Sequence, residues 1–266
     1  MFQPVIKWTG SKRSQASQLV KLFPKFSTYY EPFVGGGSVL YALGPSKAVC
    51  GDICKPLIDL WTLIQKNPDT LIKQYDKDWN KLQNEGYHIY YDIRDRFNEY
   101  GKPEDLFFLS RTCVNGLIRF NKAGAFNNSL HHTRRGINPN RISSVILDWS
   151  EKIQDVKFVH KDYRGTIKNA NSDDFVYLDP PYHSTTGRYF GKIDSDELIK
   201  TLRDLNENKI KFILSYDGIR ENKFYLKDLP KDLYKRHLFL ESGNSAFKKT
   251  MSKKVEMVSE SVYLNW

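Results

Sequence analysis

The 266-residue sequence contains little cysteine and no long hydrophobic run. No stretch approaches the roughly 20 apolar residues that a membrane-spanning helix needs, and the N-terminus lacks the apolar core of a signal peptide. The three cysteines form no even set for a disulfide framework. Cys50 and Cys54 have only Cys113 and the pair His131 and His132 as distant candidates for further metal ligands. We therefore expect a cytoplasmic protein with buried free thiols and no metal site.

Basic residues outnumber acidic ones. The 41 Lys and Arg residues against 31 Asp and Glu give a formal net charge of +10 and a pI of about 9.3. Such an excess favours a polyanionic partner, because each neutralised phosphate releases counterions. Many cytoplasmic proteins are basic without binding nucleic acid, so the placement of the charge along the chain matters more than its total.

The hydrophobic pattern predicts an α/β fold. The first part of the chain is typical of a βαβ unit, with strands at Tyr29 and Tyr30 and at residues 47–52. Residues 56–116 have a helical pattern without interleaved strands, which indicates an inserted or appended helical module. Strand-like runs resume at residues 156–159, 175–178, 211–214, 237–240 and 261–264, with a helix at 196–206. The last two runs lie close together, which predicts a mostly parallel sheet that ends in an antiparallel hairpin.

Three glycines at residues 35–37 follow the first predicted strand. Glycines there allow a ligand to approach the backbone closely. The GK[ST] ending of a phosphate loop is absent, and Leu40 occupies the third glycine position of a G-x-G-x-x-G motif. Asp52 lies 17 residues beyond Gly35, a spacing typical of a carboxylate that binds ribose hydroxyls. These residues alone do not separate NAD from S-adenosylmethionine. Glu31 is either a partner for the cationic end of a methionine moiety or a solvated turn charge.

The tetrapeptide Asp179-Pro180-Pro181-Tyr182 follows the apolar run Phe175–Leu178. The acid therefore stands at the C-terminal end of a buried strand, where open α/β sheets bind ligands. The prolines remove two N–H donors and leave only carbonyl and carboxylate acceptors. Asp179 and the Pro180 carbonyl would accept the two hydrogens of an exocyclic amine, while Tyr182 stacks on the base. An ordinary Asp-Pro turn is the structural alternative.

Together these motifs resemble the Dam-type N6-adenine DNA methyltransferases with alpha-group motif order. The resemblance rests on Lys7-Trp8-Thr9-Gly10-Ser11-Lys12-Arg13, residues 31–38, Asp52, residues 115–121, Gly124, Phe126-Asn127 and Asp179-Pro180-Pro181-Tyr182. It implies a Rossmann-like S-adenosylmethionine-dependent methyltransferase sheet. The catalytic domain would comprise residues 1–58 and 151–266, and residues 59–150 would form a mostly helical target-recognition domain.

The resemblance also implies which residues bind the cofactor, S-adenosylmethionine. These are Trp8, Lys12, Glu31, Phe33, Gly35, Gly37, Asp52, Asp162 and Asp179. The glycine loop (residues 35–37) would lie beneath the methionine moiety, and Asp162 near the cofactor's adenine. Without the resemblance, Trp8 is interpreted as a buried anchor, Lys12 as a solvated charge and Asp162 as a surface acid.

The resemblance assigns DNA contacts to a polar stretch that we call the recognition segment (residues 119–141). Arginine pairs bidentately with guanine, and asparagine with adenine. The implied DNA-binding residues are Arg119, Asn121, Lys122, Arg134, Arg135 and Arg141, together with Lys248 and Lys249 in a lysine-rich loop at 243–254. That loop suits phosphates or a mobile lid, or is simply a solvated face. Phe120 or Phe126 would wedge into the base stack, unless they form hairpin core.

The resulting hypothesis is a site-specific enzyme that transfers a methyl group from S-adenosylmethionine to N6 of an adenine flipped out of double-stranded DNA. N4-cytosine methylation is the alternative within the same chemistry, although cytosine enzymes more often begin the tetrapeptide with serine. An RNA methyltransferase, an inert DNA-binding module and a nicotinamide oxidoreductase are further alternatives. Members that read GATC follow Phe-Asn with Val-Pro, whereas Asn128 and Ser129 stand here, so the target sequence stays open. We expect a monomer or weak dimer that acts with a restriction endonuclease or alone.

Overall fold

The structure, a computed structural model, describes residues 2–121, 123–133, 135–181, 193–220, 223–224, 229–244 and 257–266. Within these ranges, eight strands form one sheet. They are β1 (Tyr29–Glu31), β2 (Ala48–Asp52), β3 (Val156–His160), β4 (Phe175–Leu178), β5 (Lys211–Arg220), β6 (Lys223–Phe224), β7 (Arg236–Asn244) and β8 (Met257–Leu264).

The spatial order of the strands is β3-β2-β1-β4-β5-β8-β7, and β6 pairs with β5. Strands β1 to β5 pair in parallel, whereas β8 is antiparallel to both β5 and β7. The predicted mostly parallel sheet with a terminal antiparallel hairpin is therefore confirmed. Strands β5 and β8 extend well beyond the apolar runs that predicted them, because their polar ends are held by pairing with each other.

The helices of the described residues are α1 (Ala16–Val20), α2 (Ser38–Leu43), α3 (Lys55–Lys66), α4 (Pro68–Glu85), α5 (His88–Tyr100), α6 (Pro103–Thr112), α7 (Pro139–Lys152), α8 (Tyr163–Ile167) and α9 (Ser195–Glu207). Helices α4, α6 and α7 begin with proline, whose missing N–H would have no partner within the first turn. Asn138 caps α7, since its side chain accepts a hydrogen bond from the Asn140 N–H at 3.0 Å. Gly101 ends α5 with a φ of +64°. None of the described helices is long and apolar enough to span a membrane.

Strand β4 shows how the sheet separates two cores. Phe175 and Tyr177 face the core built with helices α1 to α7, whereas Val176 and Leu178 face the core built with α8 and α9. This alternation follows from the two-residue period of a strand. All four side chains are fully buried, as expected for a central strand of a parallel sheet that has helices on both faces.

The helical layer α3 to α7 shares one continuous core with the sheet. The predicted domain limits, after residues 58 and 150, both fall inside continuous helices, α3 and α7. Within the layer, Arg96 of α5 is paired with Asp105 of α6 at 2.5 Å and with Asp78 of α4 at 3.4 Å. Both carboxylates are buried, so this network ties three helices together. The division into domains stays a prediction.

The N-terminal segment (residues 4–12) lies between the helical layer and the sheet. Arg111 of α6 donates hydrogen bonds to the carbonyls of Pro4 and Val5. Farther along, the Thr9 hydroxyl donates to the Ile118 carbonyl at 3.3 Å. These contacts hold the segment in place directly ahead of Lys12.

Candidate active site

A cavity of about 200 Å³ opens at the carboxyl ends of β1, β2 and β4. Strand order reverses between β1 and β4, and such a switch point is where open α/β sheets bind ligands. The residues predicted to bind the cofactor or the target amine that line this cavity are Trp8, Lys12, Glu31, Phe33, Gly35, Gly37, Asp52, Asp162, Asp179 and Pro180. The structure therefore brings these side chains to one place, although their individual roles remain predictions.

The glycine loop is packed between two tryptophans. Gly35 has a φ of +45°, and a Cβ at this position would lie 2.8 Å from Cδ1 of Trp8. Gly37 has a φ of +63°, and its Cβ would lie 2.9 Å from Cζ2 of Trp61. The Trp61 indole N–H also donates to the Gly35 carbonyl at 3.0 Å. Glycine is required here by backbone conformation and by close packing together.

Asp52 connects the end of β2 to this loop. Its Oδ1 accepts from the Cys54 N–H at 2.9 Å, and its Oδ2 accepts from the Gly35 N–H at 3.4 Å. Burial raises the pKa of Asp52 to about 6, against the opposing effect of these hydrogen bonds. Asp52 is thus mainly a carboxylate at neutral pH.

Glu31 is 3% exposed, so its interpretation as a solvated turn charge is wrong. Its carboxyl group accepts a hydrogen bond from the Tyr29 hydroxyl at 2.9 Å. Burial raises the pKa of Glu31 to about 8, and the neighbouring Asp179 charge adds to that rise. A buried acid on a cavity wall favours a cationic ligand group, because a positive charge would offset the loss of hydration.

Lys12 lies between two carboxylates. Its Nζ is 2.7 Å from Oδ1 of Asp179 and 2.6 Å from Oε1 of Glu260. Lys12 is 7% exposed, so its interpretation as a solvated charge is wrong as well. Burial raises the pKa of Asp179 to about 7, an effect that Lys12 opposes and Glu260 reinforces. The acid of the tetrapeptide is therefore held in a charged, water-poor cluster at the end of β4.

The far wall of the cavity is formed by α8 and Phe33. The Phe33 and Tyr163 rings stack with centroids 5.5 Å apart and an interplanar angle of 24°. Asp162 caps α8 by accepting from the Gly165 N–H at 2.7 Å, and it pairs with Arg164 at 3.0 Å. Its side chain is 42% exposed. Asp162 therefore lines the cavity and also fills the structural role of a surface acid.

Comparison with known proteins identifies the family. The family described as D12 class N6 adenine-specific DNA methyltransferase matches residues 8–252, which is most of the chain. The chain belongs to this family. It is therefore an enzyme that methylates adenine in DNA, which decides against the oxidoreductase and the inert module.

Relatives of this methyltransferase occur in archaea and bacteria. The type II methyltransferase M.MjaIII of Methanocaldococcus jannaschii is 30% identical over 244 residues, which cover 80% of this chain and 83% of that protein. The DNA adenine methylase of Vibrio cholerae is 31% identical over 193 residues, or 69% of this chain and 67% of that protein. The type II methyltransferase M1.LlaDCHI of Lactococcus lactis subsp. cremoris is 30% identical over 192 residues, or 68% of this chain and 66% of that protein.

In this methyltransferase, several predicted residues lie outside the described ranges. They are Tyr182 of the tetrapeptide and the DNA-binding candidates Lys122, Arg134, Lys248 and Lys249. The described DNA-binding candidates, Arg119, Asn121, Arg135 and Arg141, are all exposed. Their contacts with DNA stay predictions.

The start of the recognition segment forms a small hairpin around a bridge between Phe120 and Phe126. Phe120 and Phe126 are bridge partners, and Phe126 is 1% exposed, which makes it hairpin core rather than a wedge. The Asn121 side-chain oxygen accepts from the N–H groups of Ala123 and Ala125, so this oxygen shapes the turn. The guanidinium of Arg119 donates to the Asn127 side chain at 2.9 Å.

The prediction from sequence missed three residues of the methyltransferase site. Trp61 looked like any apolar position of a helix, and Tyr163 gave no signal beyond its place after Asp162. Glu260 carried a faint signal, because it is an acid two residues before the apolar end of a strand. Its partner Lys12 is near the other end of the chain, so pairing was invisible without the fold.

Proposed function

We propose that this methyltransferase uses S-adenosylmethionine as methyl donor and acts on an adenine rotated out of double-stranded DNA. The observation that carries this proposal is that the largely buried Asp179, paired with Lys12, opens onto the same cavity as the glycine loop and Asp52. A carboxylate that accepts from an amine and a carboxylate that binds a nucleoside lie at the same edge of the sheet. This arrangement suits the transfer of a methyl group between two nucleosides.

The residues of the cavity fit this donor in charge and shape. Asp52 would accept hydrogen bonds from ribose hydroxyls, and the buried Glu31 would balance the donor's ammonium group. The Trp8 ring can pack directly on the glycine loop because Gly35 carries no side chain. Phe33 offers an aromatic face for the donor's adenine. S-adenosylmethionine supplies an electrophilic methyl group carried by a sulfonium.

Asp179 and the Pro180 carbonyl would orient the two hydrogens of the target amine, so that its lone pair points at the methyl group. The nitrogen–carbon bond forms as the carbon–sulfur bond breaks, and sulfur keeps the electron pair. Positive charge develops on the amine nitrogen, where the Asp179 carboxylate stabilises it. Burial raises the pKa of Asp179 above its ordinary value, which suits this carboxylate to take the released proton. Tyr182 would stack on the base, as the tetrapeptide predicted.

Duplex DNA would reach this site through the exposed basic residues of the recognition segment. Arg119, Arg135 and Arg141 would contact phosphates or base edges there, and the net positive charge of the chain would speed encounter. Residues 59–150 would supply target recognition as one unit. We place the enzyme in the cytoplasm with its DNA substrate, as a monomer or weak dimer. Two of the relatives above are named type II methyltransferases, which makes a partner restriction endonuclease one option for this enzyme.

The test is transfer of tritium from labelled S-adenosylmethionine to duplex DNA, followed by nucleoside analysis. Label should appear in N6-methyladenine. Asp179→Asn should lower kcat by a factor of about 100 or more, because the acceptor's charge is lost. Asp173→Asn is the matched control, since Asp173 is exposed just ahead of the same strand. Label in N4-methylcytosine, or an unimpaired Asp179→Asn variant, would refute the proposal.

A further inference from the structure

Glu260 is an acid on the buried face of β8. It shares that face with Val262 and Leu264, which belong to the core beneath helices α1 to α7. Glu260 itself is 6% exposed. Removing a carboxylate from water is costly unless a partner compensates it, and one such partner of Glu260 is Lys12 at 2.6 Å. Hydrophobic residues would pack this face at less cost, so the acid calls for a reason beyond stability.

The position of Lys12 supplies that reason. The same ammonium nitrogen lies 2.7 Å from Asp179 and 2.6 Å from Glu260, so one positive charge serves two carboxylates. A pair of Lys12 and Asp179 alone would be neutral and would stabilise a positive charge on the substrate only weakly. With Glu260 present and both carboxylates ionised, the three groups together carry one negative charge in excess.

We propose that Glu260 is a positioning residue for methyl transfer, which shares Lys12 with Asp179 and thereby keeps the Asp179 carboxylate electrostatically available to the target amine. The inference rests on the proposed role of Asp179. Glu260 acts through Lys12 and is not among the residues that line the cavity.

The charged and titratable groups around Asp179 determine what a substitution should do. Within the part of the chain that the structure describes, they include Lys12 from the N-terminal segment, Glu260 from β8, Glu31 from β1 and Tyr177 from β4. Glu260 raises the pKa of Asp179, whereas Lys12 lowers it. Glutamine at position 260 would remove a negative neighbour and leave Lys12 more fully engaged with Asp179. Both effects lower the pKa of Asp179, so they add.

The experiment compares Glu260→Gln with the wild-type enzyme across pH, at saturating S-adenosylmethionine and duplex DNA, by tritium transfer. The acidic limb of the kcat profile should move about one pH unit lower. The kcat on the plateau should fall about 10-fold, because Asp179 becomes a weaker acceptor, without a matching rise in KM for DNA. Glu241→Gln is the control, since Glu241 is an exposed glutamate on the neighbouring strand β7, and it should leave both quantities unchanged.

A purely structural role for Glu260 predicts a different result. Glu260→Gln would then lower the melting temperature while the acidic limb and the kcat of the folded enzyme stayed in place, and this outcome would overturn the inference. Glu260→Asp retains the charge and provides a second test of the inference if the glutamine variant does not fold. Its acidic limb should stay at the wild-type position, and a limb moved to lower pH would contradict the inference. An active Asp179→Asn variant would instead refute the proposed function.

Discussion

The cavity and the recognition segment hold their polar side chains in opposite ways. In the cavity, Glu31 is buried and the Asp179 side chain is 17% exposed, and each acid contacts a named partner within 2.9 Å. In the recognition segment, Arg119 and Asn121 are exposed, and their hydrogen bonds run to neighbours in the same hairpin. The polar side chains of the cavity are therefore fixed by contacts within the fold, whereas those of the recognition segment are exposed to solvent.

The largest difference between the two regions should appear when a methyl group is added to glycine. Gly35→Ala places a Cβ 2.8 Å from Trp8 at a φ of +45°, so strain and overpacking together should cost roughly 2–5 kcal/mol of unfolding free energy. Binding of S-adenosylmethionine should weaken too, because Trp8 must move. Urea unfolding and calorimetric titration would measure the two effects.

Gly124→Ala is the matched control in the recognition segment. Gly124 has a φ of +80°, but a Cβ there meets no atom within 4 Å among the described residues. Only the backbone penalty of about 1–2 kcal/mol should remain, with cofactor binding unchanged. Equal losses in the two variants would show that the packing of the cavity is no tighter than that of the hairpin.

The same contrast explains which site residues sequence reasoning reaches. The sequence predicts Asp179 as a site residue because a strand, an acid and two prolines are neighbours along the chain. It predicts Asp52 because this acid follows Gly35 at a short, characteristic distance along the chain. Glu260 was not found, because its contact with Lys12 depends on β8 pairing with β5 inside the folded sheet. The sequence does not decide between the two interpretations of Glu31, a partner for a cationic group or a solvated charge, for a related reason. Its burial comes from neighbouring strands, which the sequence around it does not show.

The sequence predicts the secondary structure well where burial restricts the choice of residues, and less well elsewhere. The fully buried run of β4 was predicted with its observed limits, since a central strand must be apolar on both faces. The sequence does not predict helix α7, because its first turn lies within the arginine- and asparagine-rich recognition segment. Its later residues pack Trp149 against Trp61, a contact that only the tertiary structure reveals.

A second, smaller difference between the two regions should appear in how they affect the pH dependence of the unfolding free energy. The pKa of Glu31 is about 8 in the folded protein against an ordinary value of 4.5, so the folded state retains this proton where the unfolded chain loses it. The free energy of unfolding should therefore fall as pH rises through this window, by up to about 1.4 kcal/mol per pH unit from this group. Asp52 and Asp179, whose pKa values are also raised, act in the same direction.

Glu31→Gln removes one of these protons and should make the loss of stability between pH 5 and 8 less steep. Chemical unfolding of the ligand-free enzyme at several pH values would measure the slope of the unfolding free energy against pH. The slopes of the two proteins should differ by roughly the amount that one bound proton contributes. Arg135→Gln, which also replaces a charge with an amide but at an exposed position of the recognition segment, is the control and should leave the slope unchanged. Parallel curves for wild type and Glu31→Gln would mean that Glu31 is charged in the folded state.

The smallest expected effect concerns a single exposed side chain of the recognition segment. Arg119→Ala should weaken binding to duplex DNA by roughly 1–3 kcal/mol if the guanidinium reads a base, and the loss should then depend on sequence. A phosphate contact would instead weaken all sequences alike and lower the salt slope by about one. Fluorescence anisotropy at several salt concentrations distinguishes the two. Arg203→Ala on α9, which covers the other face of the sheet, should change neither quantity. Unaltered affinity and slope in Arg119→Ala would remove Arg119 from the interface, and the recognition segment would then have to bind DNA through its other basic residues.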